Sequence, residues 1–290
     1  MSITAEPNQP GEHPTETTAE SAPRLAARRL RLGYGETTIV PDLSMNLGAA
    51  QITAIVGANG CGKSTLLRGL ARLLQPRGGT VTLDGADIAD LSTTRLATRL
   101  GVLPQQPLAP EGITVADLVS RGRHPHQRWF RQWSEEDESA VAAALEATGV
   151  RELAQRSVDE LSGGQRQRVW IALALAQGTE TMLLDEPTTF LDLAHQVEVL
   201  DLLRELNRDR GRTIVLVLHD LNLACRYADH LIAMNSGHIA ATGTPSEVIT
   251  PATVAAVFGL DCEVIEDPLT ATPLVLPRPK AQSRPKHSPG

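Results

Sequence analysis

The chain of 290 residues is long enough for one large domain or two small ones, and its 41% apolar content supplies a substantial core. A net charge of −7 speaks against a nucleic acid bound on a basic face, and no apolar run reaches the ~18–20 residues of a membrane-spanning helix. Cys61, Cys225 and Cys262 are too scattered for a disulfide or zinc framework, and no apolar segment follows a basic start as in a secretion signal, so a reducing cytoplasm is the default expectation.

Residues 1–22 are rich in Pro, Thr, Glu and Ala and read as a disordered tail, as do residues 279–290, rich in Pro, Lys, Arg and Ser. Residues 23–278 between them read as one domain. Arg24, Arg28, Arg29 and Arg31 suggest a solvated strand face rather than a lipid-head contact. Tyr34 follows, ahead of an alternating stretch (Ile39, Val40, Leu43, Met45, Leu47), which together predict an antiparallel sheet layer. An aromatic there could stack on a base or simply cover the sheet edge.

Gly57-Ala58-Asn59-Gly60-Cys61-Gly62-Lys63-Ser64-Thr65 fits G-x-x-x-x-G-K-[ST], the phosphate-binding loop. A buried-strand pattern (Ile52, Ala54, Ile55, Val56) precedes it, and a helical one (Leu66, Leu67, Leu70, Leu73, Leu74) follows. The glycines let successive N–H groups curl round one anion, and the helix adds the positive end of its dipole. Lys63 is placed to reach β- and γ-phosphates and the Ser64 hydroxyl to ligand Mg²⁺. Cys61 stands at a helix N-terminus, which lowers a thiol pKa. Its modification is therefore expected to inhibit, with the ligand of the loop protecting; the alternative is a small loop residue.

Thr80–Leu83 reads as a strand before an Asp84-Gly85 turn, residues 92–99 as a helix, and Leu100–Leu103 as a strand. Gln105 and Gln106 lie between Pro104 and Pro107, a constrained loop whose glutamine could hold a water and a metal position, or lie idle on the surface. Residues 114–177 carry helical periodicity. Thr114–Ser120 is one short helix; Ser134, followed by acids, caps another that runs to Gly149. Arg121–Phe130, basic and aromatic, is expected to be an exposed loop and a protein-contact surface; a metal at His124 and His126 is not expected, for want of an acid or Cys partner. Ser162-Gly163-Gly164-Gln165 opens a long helix, as a second phosphate site or a plain cap.

Thr181–Leu184 is a buried strand ending in Asp185-Glu186. Carboxylates at a strand's C-terminal end sit where α/β proteins bind ligands, one for Mg²⁺ and one for water. A loop through Thr188 to Asp192 leads into a helix (Val197, Leu200, Leu203, Leu206). Thr213–Leu218 is a further buried strand, ending in His219, whose position favours function over a core histidine. A helix with Cys225 and Tyr227, a hairpin across Ser236-Gly237, helical runs at 246–249 and 251–258, and a last ordered stretch from Val264 to about Pro277 complete the chain.

These residues together resemble the nucleotide-binding subunit of an ABC transporter over roughly residues 26–277. The phosphate loop, Gln105, Leu161–Gln165, Asp185-Glu186, Leu191-Asp192 and His219 occur in the family order. Arg121–His126, Leu191–Gln196, Leu218–Ala228, Asp267-Pro268 and Pro273–Val275 look like ATPases of iron–siderophore importers, most like the ferric-enterobactin type. The resemblance implies an α/β P-loop NTPase fold: a mixed-sheet RecA-like lobe, an antiparallel β layer and an inserted helical lobe at about 107–177. It implies ATP as ligand with Mg²⁺ held by Ser64, Gln105 and Asp185. It implies Glu186 polarising the attacking water, His219 and Lys63 at the γ-phosphate, and Tyr34 on the adenine.

Ser162, Gly163, Gly164 and Gln165 would then cap an ATP bound to a second copy, with Asp192 crossing the interface. Membrane permease subunits are the implied partners, at the cytoplasmic face of the membrane. A substrate-binding lipoprotein enters only indirectly, and neither nucleic acid nor the siderophore itself is touched. Rival readings are an importer for another chelate such as haem or cobalamin, a soluble ABC-type ATPase of DNA repair or translation, and a nucleotide-binding regulator without turnover.

Overall fold

In the computed structural model, residues 23–105, 107–127, 133–189 and 191–279 are described. The expected tail 1–22, the expected tail 279–290 apart from Pro279, Gln106, Arg128 to Gln132 and Phe190 lie outside the described residues. The first layer is an antiparallel sheet. Strand β1 (Leu25–Tyr34) pairs with β2 (Thr37–Leu47) on one side and, after the excursion through β3 (Ile52–Gly57) and α1 (Lys63–Leu70), with β4 (Gly78–Leu83) on the other; β5 (Ala86–Asp87) completes the order β2-β1-β4-β5. Leu43, Met45 and Leu47 are buried and alternate with exposed Ser44 and Asn46, the period of a sheet covered on one face. Arg28, Arg29 and Arg31 are exposed on β1, and Arg24 pairs with Asp84 and Glu180.

The short α2 (Thr93–Ala97), capped by Ser92, leads to β6 (Leu100–Leu103). Helices α3 (Val115–Ser120), α4 (Glu135–Ala147) and α5 (Gly163–Ala176) then form a lobe of their own before the chain returns in β7 (Thr181–Leu184). The remaining elements are α6 (Leu193–Arg210), β8 (Thr213–Val217), α7 (Leu221–Tyr227), β9 (His230–Asn235), β10 (His238–Gly243), α8 (Pro245–Val248), α9 (Pro251–Phe258) and the hairpin β11 (Cys262–Glu266) with β12 (Pro273–Pro277). The second sheet has the order β10-β9-β3-β8-β7-β6; β10 is antiparallel to β9 and every other pairing is parallel.

Strands β3, β7 and β8 are buried along their whole length, which is why they read as continuous apolar runs. Their alternate residues serve different cores. Ala54, Val56, Met182, Leu184, Ile214 and Leu216 face a core shared with α3 to α7. Ile55, Leu183, Val215 and Val217 face a core shared with α1 and the antiparallel sheet. Helix α1 is therefore clamped between the two sheets. It ends at Leu70, shorter than its leucine pattern predicts: the chain turns at Arg72, whose φ is 56°, and Leu73 is 64% exposed.

The segment Arg121–His126 departs from the expected exposed loop. It is a 3-10 helix whose Gly122 and Arg123 are buried. Arg123 Nε donates to Asp137 Oδ1 at 2.8 Å and Nη1 to the carbonyl of Ala176 at 2.8 Å; His126 Nε2 donates to the carbonyl of Gln177 at 2.7 Å. The basic residues thus cap the C-terminal end of α5, where its orphan carbonyls and negative dipole end attract cations. At the far end of the chain, the Asn222 amide on α7 bonds Val275 of β12 through both N–H and C=O. Arg226 beside Asp267, with the Leu269 amide, holds that carboxyl down at about 2.

Candidate active site

Strands β3, β8 and β7 are parallel neighbours, so their C-terminal ends open on one edge of the sheet. The first delivers the phosphate loop, the last Asp185-Glu186, and the middle one, one residue past Leu218, His219. They meet in a cleft of about 580 Å³ lined by Asn59, Gly60 and Gly62 to Thr65 on one side and by Gln105, Glu186 and His219 on the other. Tyr34 and Ile39 of the antiparallel sheet form a third wall.

The loop depends on glycine at defined places. Gly62, the N-cap of α1, has φ 105°, a region other L-residues avoid. A Cβ on Gly57 would sit 2.4 Å from the Met234 carbonyl oxygen, so only glycine lets β9 run under the loop. Lys63 is 5% exposed, and its Nζ donates to the carbonyls of Gly57 (2.8 Å) and Ala58 (3.1 Å). Gly57 and Cys61 are not on the cleft wall. The Cys61 side chain is 4% exposed and packs in the core beneath the antiparallel sheet, while its carbonyl accepts from the Gly237 N–H at 2.9 Å. This burial favours the alternative of a small loop residue, since thiol chemistry needs access as well as a helix N-terminus.

Asp185 is 2% exposed and accepts from the Ser64 hydroxyl at 2.9 Å. Burial pushes its carboxyl up from the ordinary range, with the neighbouring Glu186 adding to the push. Asp185 is not itself on the cleft wall, but through its bond to Ser64, which is, it completes a pair of hard oxygen donors of the kind that suits Mg²⁺. The raised value also carries a stability consequence. Ionising Asp185 is disfavoured in the fold, so its cost is absent below the ordinary carboxylate pKa and grows as pH rises through the folded value. Asp185→Asn keeps an acceptor for Ser64 and has no carboxylate to ionise, so it is expected to raise the neutral-pH Tm of the nucleotide-free protein. Calorimetric melting checks this, and the same variant should lose Mg²⁺-dependent turnover.

Glu186 has φ 53°, an uncommon left-handed conformation for a glutamate. Its side chain is fixed from three directions. Gln105 Nε2 and Thr189 Oγ1 donate to Oε2 at 2.5 and 3.0 Å, and His219 Nε2 lies 2.6 Å from Oε1. Strain held by several partners around a carboxylate in a cleft marks a site at which orientation matters. Thr189 escaped the sequence reading, although it lies three residues past Glu186 in a turn closed by its own N–H to the Glu186 carbonyl. Ile39 was read only as a strand residue.

Ser162, Gly163, Gly164, Gln165 and Asp192 do not line this cleft. Ser162 and Gln165 form a reciprocal capping box at the start of α5, with the Gln165 N–H on Ser162 Oγ (3.3 Å) and the Ser162 N–H on Gln165 Oε1 (3.1 Å). Gly164 lies against the His195 ring, where a Cβ would come within 2.6 Å of Cδ2. Asp192 is exposed, caps α6, and accepts from the His195 N–H (3.0 Å) and contacts its Nδ1 (2.6 Å). Asp192 and His195 thus place the α6 start beside the Ser-Gly-Gly turn, on a surface separate from the cleft walls.

The family model for ABC transporters matches residues 40–189. The achromobactin transport ATP-binding protein CbrD of Dickeya dadantii is 57% identical over 262 residues, 90% of this chain and 97% of that protein. The ferric enterobactin transport ATP-binding protein FepC of Escherichia coli is 53% identical over 258 residues, 89% and 95% of the two chains. The dimeric structure of MJ0796, a bacterial ABC transporter cassette, superimposes with a TM-score of 0.67 at 28% identity, covering 76% of this chain and 98% of that one. The fold is the ABC ATPase fold expected from the sequence, and the chain belongs to the ABC transporter family, among its ATP-binding subunits.

Proposed function

We propose that this chain hydrolyses ATP to drive an importer of ferric siderophores, acting as a head-to-tail dimer beneath a membrane permease. The observation that carries the reading is Glu186, oriented by Gln105, Thr189 and His219 at the edge of the phosphate loop. In the reaction, the loop amides and Lys63 hold the β- and γ-phosphates, and Tyr34 lies under the adenine. Ser64, Gln105 and Asp185 would hold Mg²⁺. When bound, that ion neutralises charge on the β- and γ-oxygens. Glu186 accepts hydrogen-bonding from the attacking water and draws on its proton; His219 contacts the same water and the γ-phosphate. Positioning and charge stabilisation do most of the work in phosphoryl transfer, so several modest contributors suffice.

The cleft has loop, carboxylate and histidine walls but no contact with Ser162–Gln165. A second copy turned head to tail would bring that turn to the γ-phosphate and Asp192 across the seam. The dimeric structure of MJ0796 supports a pairing of two copies. ATP then acts as interface glue that hydrolysis removes, a switch biased by contacts present only when closed. Among the described residues no helix is long and apolar enough to cross a membrane. A peripheral place on the cytoplasmic face, with a substrate-binding lipoprotein acting only through the permease, follows from the importer reading. The achromobactin and enterobactin relatives support the siderophore class; their similar identities favour neither ligand.

Uptake tests the reading. Cells lacking this gene are expected to lose accumulation of ⁵⁵Fe-labelled siderophore, and the wild-type gene to restore it. Restoration of haem or cobalamin uptake instead would overturn the siderophore assignment. Lys63→Ala should not restore uptake, because losing charge-assisted bonds to phosphate weakens ATP binding by about 10–100-fold. Calorimetry on the purified protein checks that figure, and an unchanged affinity would remove the loop from the site.

A further inference from the structure

Helix α1 does more than present the phosphate loop. Arg68 stands one turn after Ser64, and side chains at i and i+4 share a helix face and lean toward its N-terminus. Ser64 reaches the Asp185 carboxylate, whereas the exposed Arg68 guanidinium donates from Nη1 to the Tyr34 hydroxyl at 3.2 Å. Tyr34 ends β1 and lines the cleft while remaining 44% exposed. The turn that follows it is held from its other side by Arg77, which bonds the Gly35 carbonyl and approaches Thr38 Oγ1 at 3.5 Å. The tip of the β1–β2 hairpin is thus pinned between two guanidinium groups.

We propose that Arg68 is a positioning residue for the nucleotide base: by holding the Tyr34 hydroxyl it fixes the stacking ring at a set distance from Lys63 and Ser64. The inference rests on Tyr34 being the base-stacking ring. Arg68 stands five positions after Lys63, about 7.5 Å of helix, so both ends of the nucleotide are referenced to one rigid element. A half-exposed ring without that bond would have to be ordered by the ligand, and preorganisation removes that cost.

The test is calorimetric binding of ATP and of inorganic tripolyphosphate, which fills the loop without a base, to the full-length protein with Mg²⁺. Arg68→Ala is expected to weaken ATP by about three- to tenfold, the range of one net hydrogen bond, and to leave tripolyphosphate unchanged. Tyr34→Phe should show the same loss, and the double variant no further loss. Equal losses for both ligands, no loss for ATP, or additive losses would each overturn the proposal. So would a variant that no longer binds tripolyphosphate at all. Tyr34→Ala separates the two layers. Unchanged ATP affinity there overturns the stacking reading itself, whereas weakened ATP binding with a silent Arg68→Ala overturns only the role of Arg68.

Discussion

Glu186→Gln is expected to slow ATP hydrolysis by about 10²–10⁴-fold, the range for a positioned base, while leaving ATP affinity intact. The amide is the same size and can still meet Gln105, Thr189 and His219, which surround the side chain at 2.5 to 3.0 Å. It cannot draw a proton from water. Lys63, the loop and Asp185 are untouched, so nucleotide binding should survive. In the proposed dimer switch closure depends on ATP and opening on its removal, so the variant should also accumulate an ATP-bound dimer, visible by gel filtration with ATP and absent with ADP. Phosphate release near the wild-type rate would take Glu186 out of the chemistry. A monomeric variant with ATP bound would instead count against the sandwich.

Arg123→Ala is expected to destabilise the fold by about 3 kcal/mol, because removing one partner of a buried ion pair strands the other. Arg123 and Asp137 are 9% and 5% exposed, and the guanidinium also satisfies the Ala176 carbonyl at the end of α5. Burial alone would push the Asp137 carboxyl up, but hydrogen bonds from Arg123 and Ser134 outweigh it and hold the group below its ordinary range. A depressed acid stabilises the fold above its unfolded pKa, and that contribution is lost as pH falls through the folded value. The gap between wild type and variant should therefore be full at neutral pH and shrink in acid below the ordinary Asp range. Urea unfolding at a series of pH values measures it. A gap that is small at pH 7, or that does not shrink in acid, would mean the pair is not what secures the helical lobe.

The same segment shows where reading in one dimension stops. Arg-Gly-Arg-His-Pro-His has the composition of a solvated loop, yet Gly122 lies so close to α5 that a Cβ would meet the Leu173 carbonyl at 2.4 Å. Nothing local announces that contact, because the partner lies some fifty residues away in the chain. Cys61 is a similar case. Its place at a helix start is visible in the motif, but its burial is decided by a core to which the distant strands β1, β8 and β9 contribute.

What the sequence determined by itself is what short-range physics controls. The largely apolar runs of β3, β7 and β8 announced buried strands, and the polar residues at their ends announced a ligand edge. Ser134 and Ser162 cap the helices that follow them because capping acts over three residues. The glycine spacing of the phosphate loop implied its curl for the same reason. Tertiary structure alone decided which groups meet. It joined Gln105 to Glu186 across 81 residues and Tyr34 to Arg68 across 34. It also placed Ser162–Gln165 away from the cleft of its own chain. Burial and side-chain pairing are set by how sheets and helices stack, and the chain records that stacking only in the sum of its contacts.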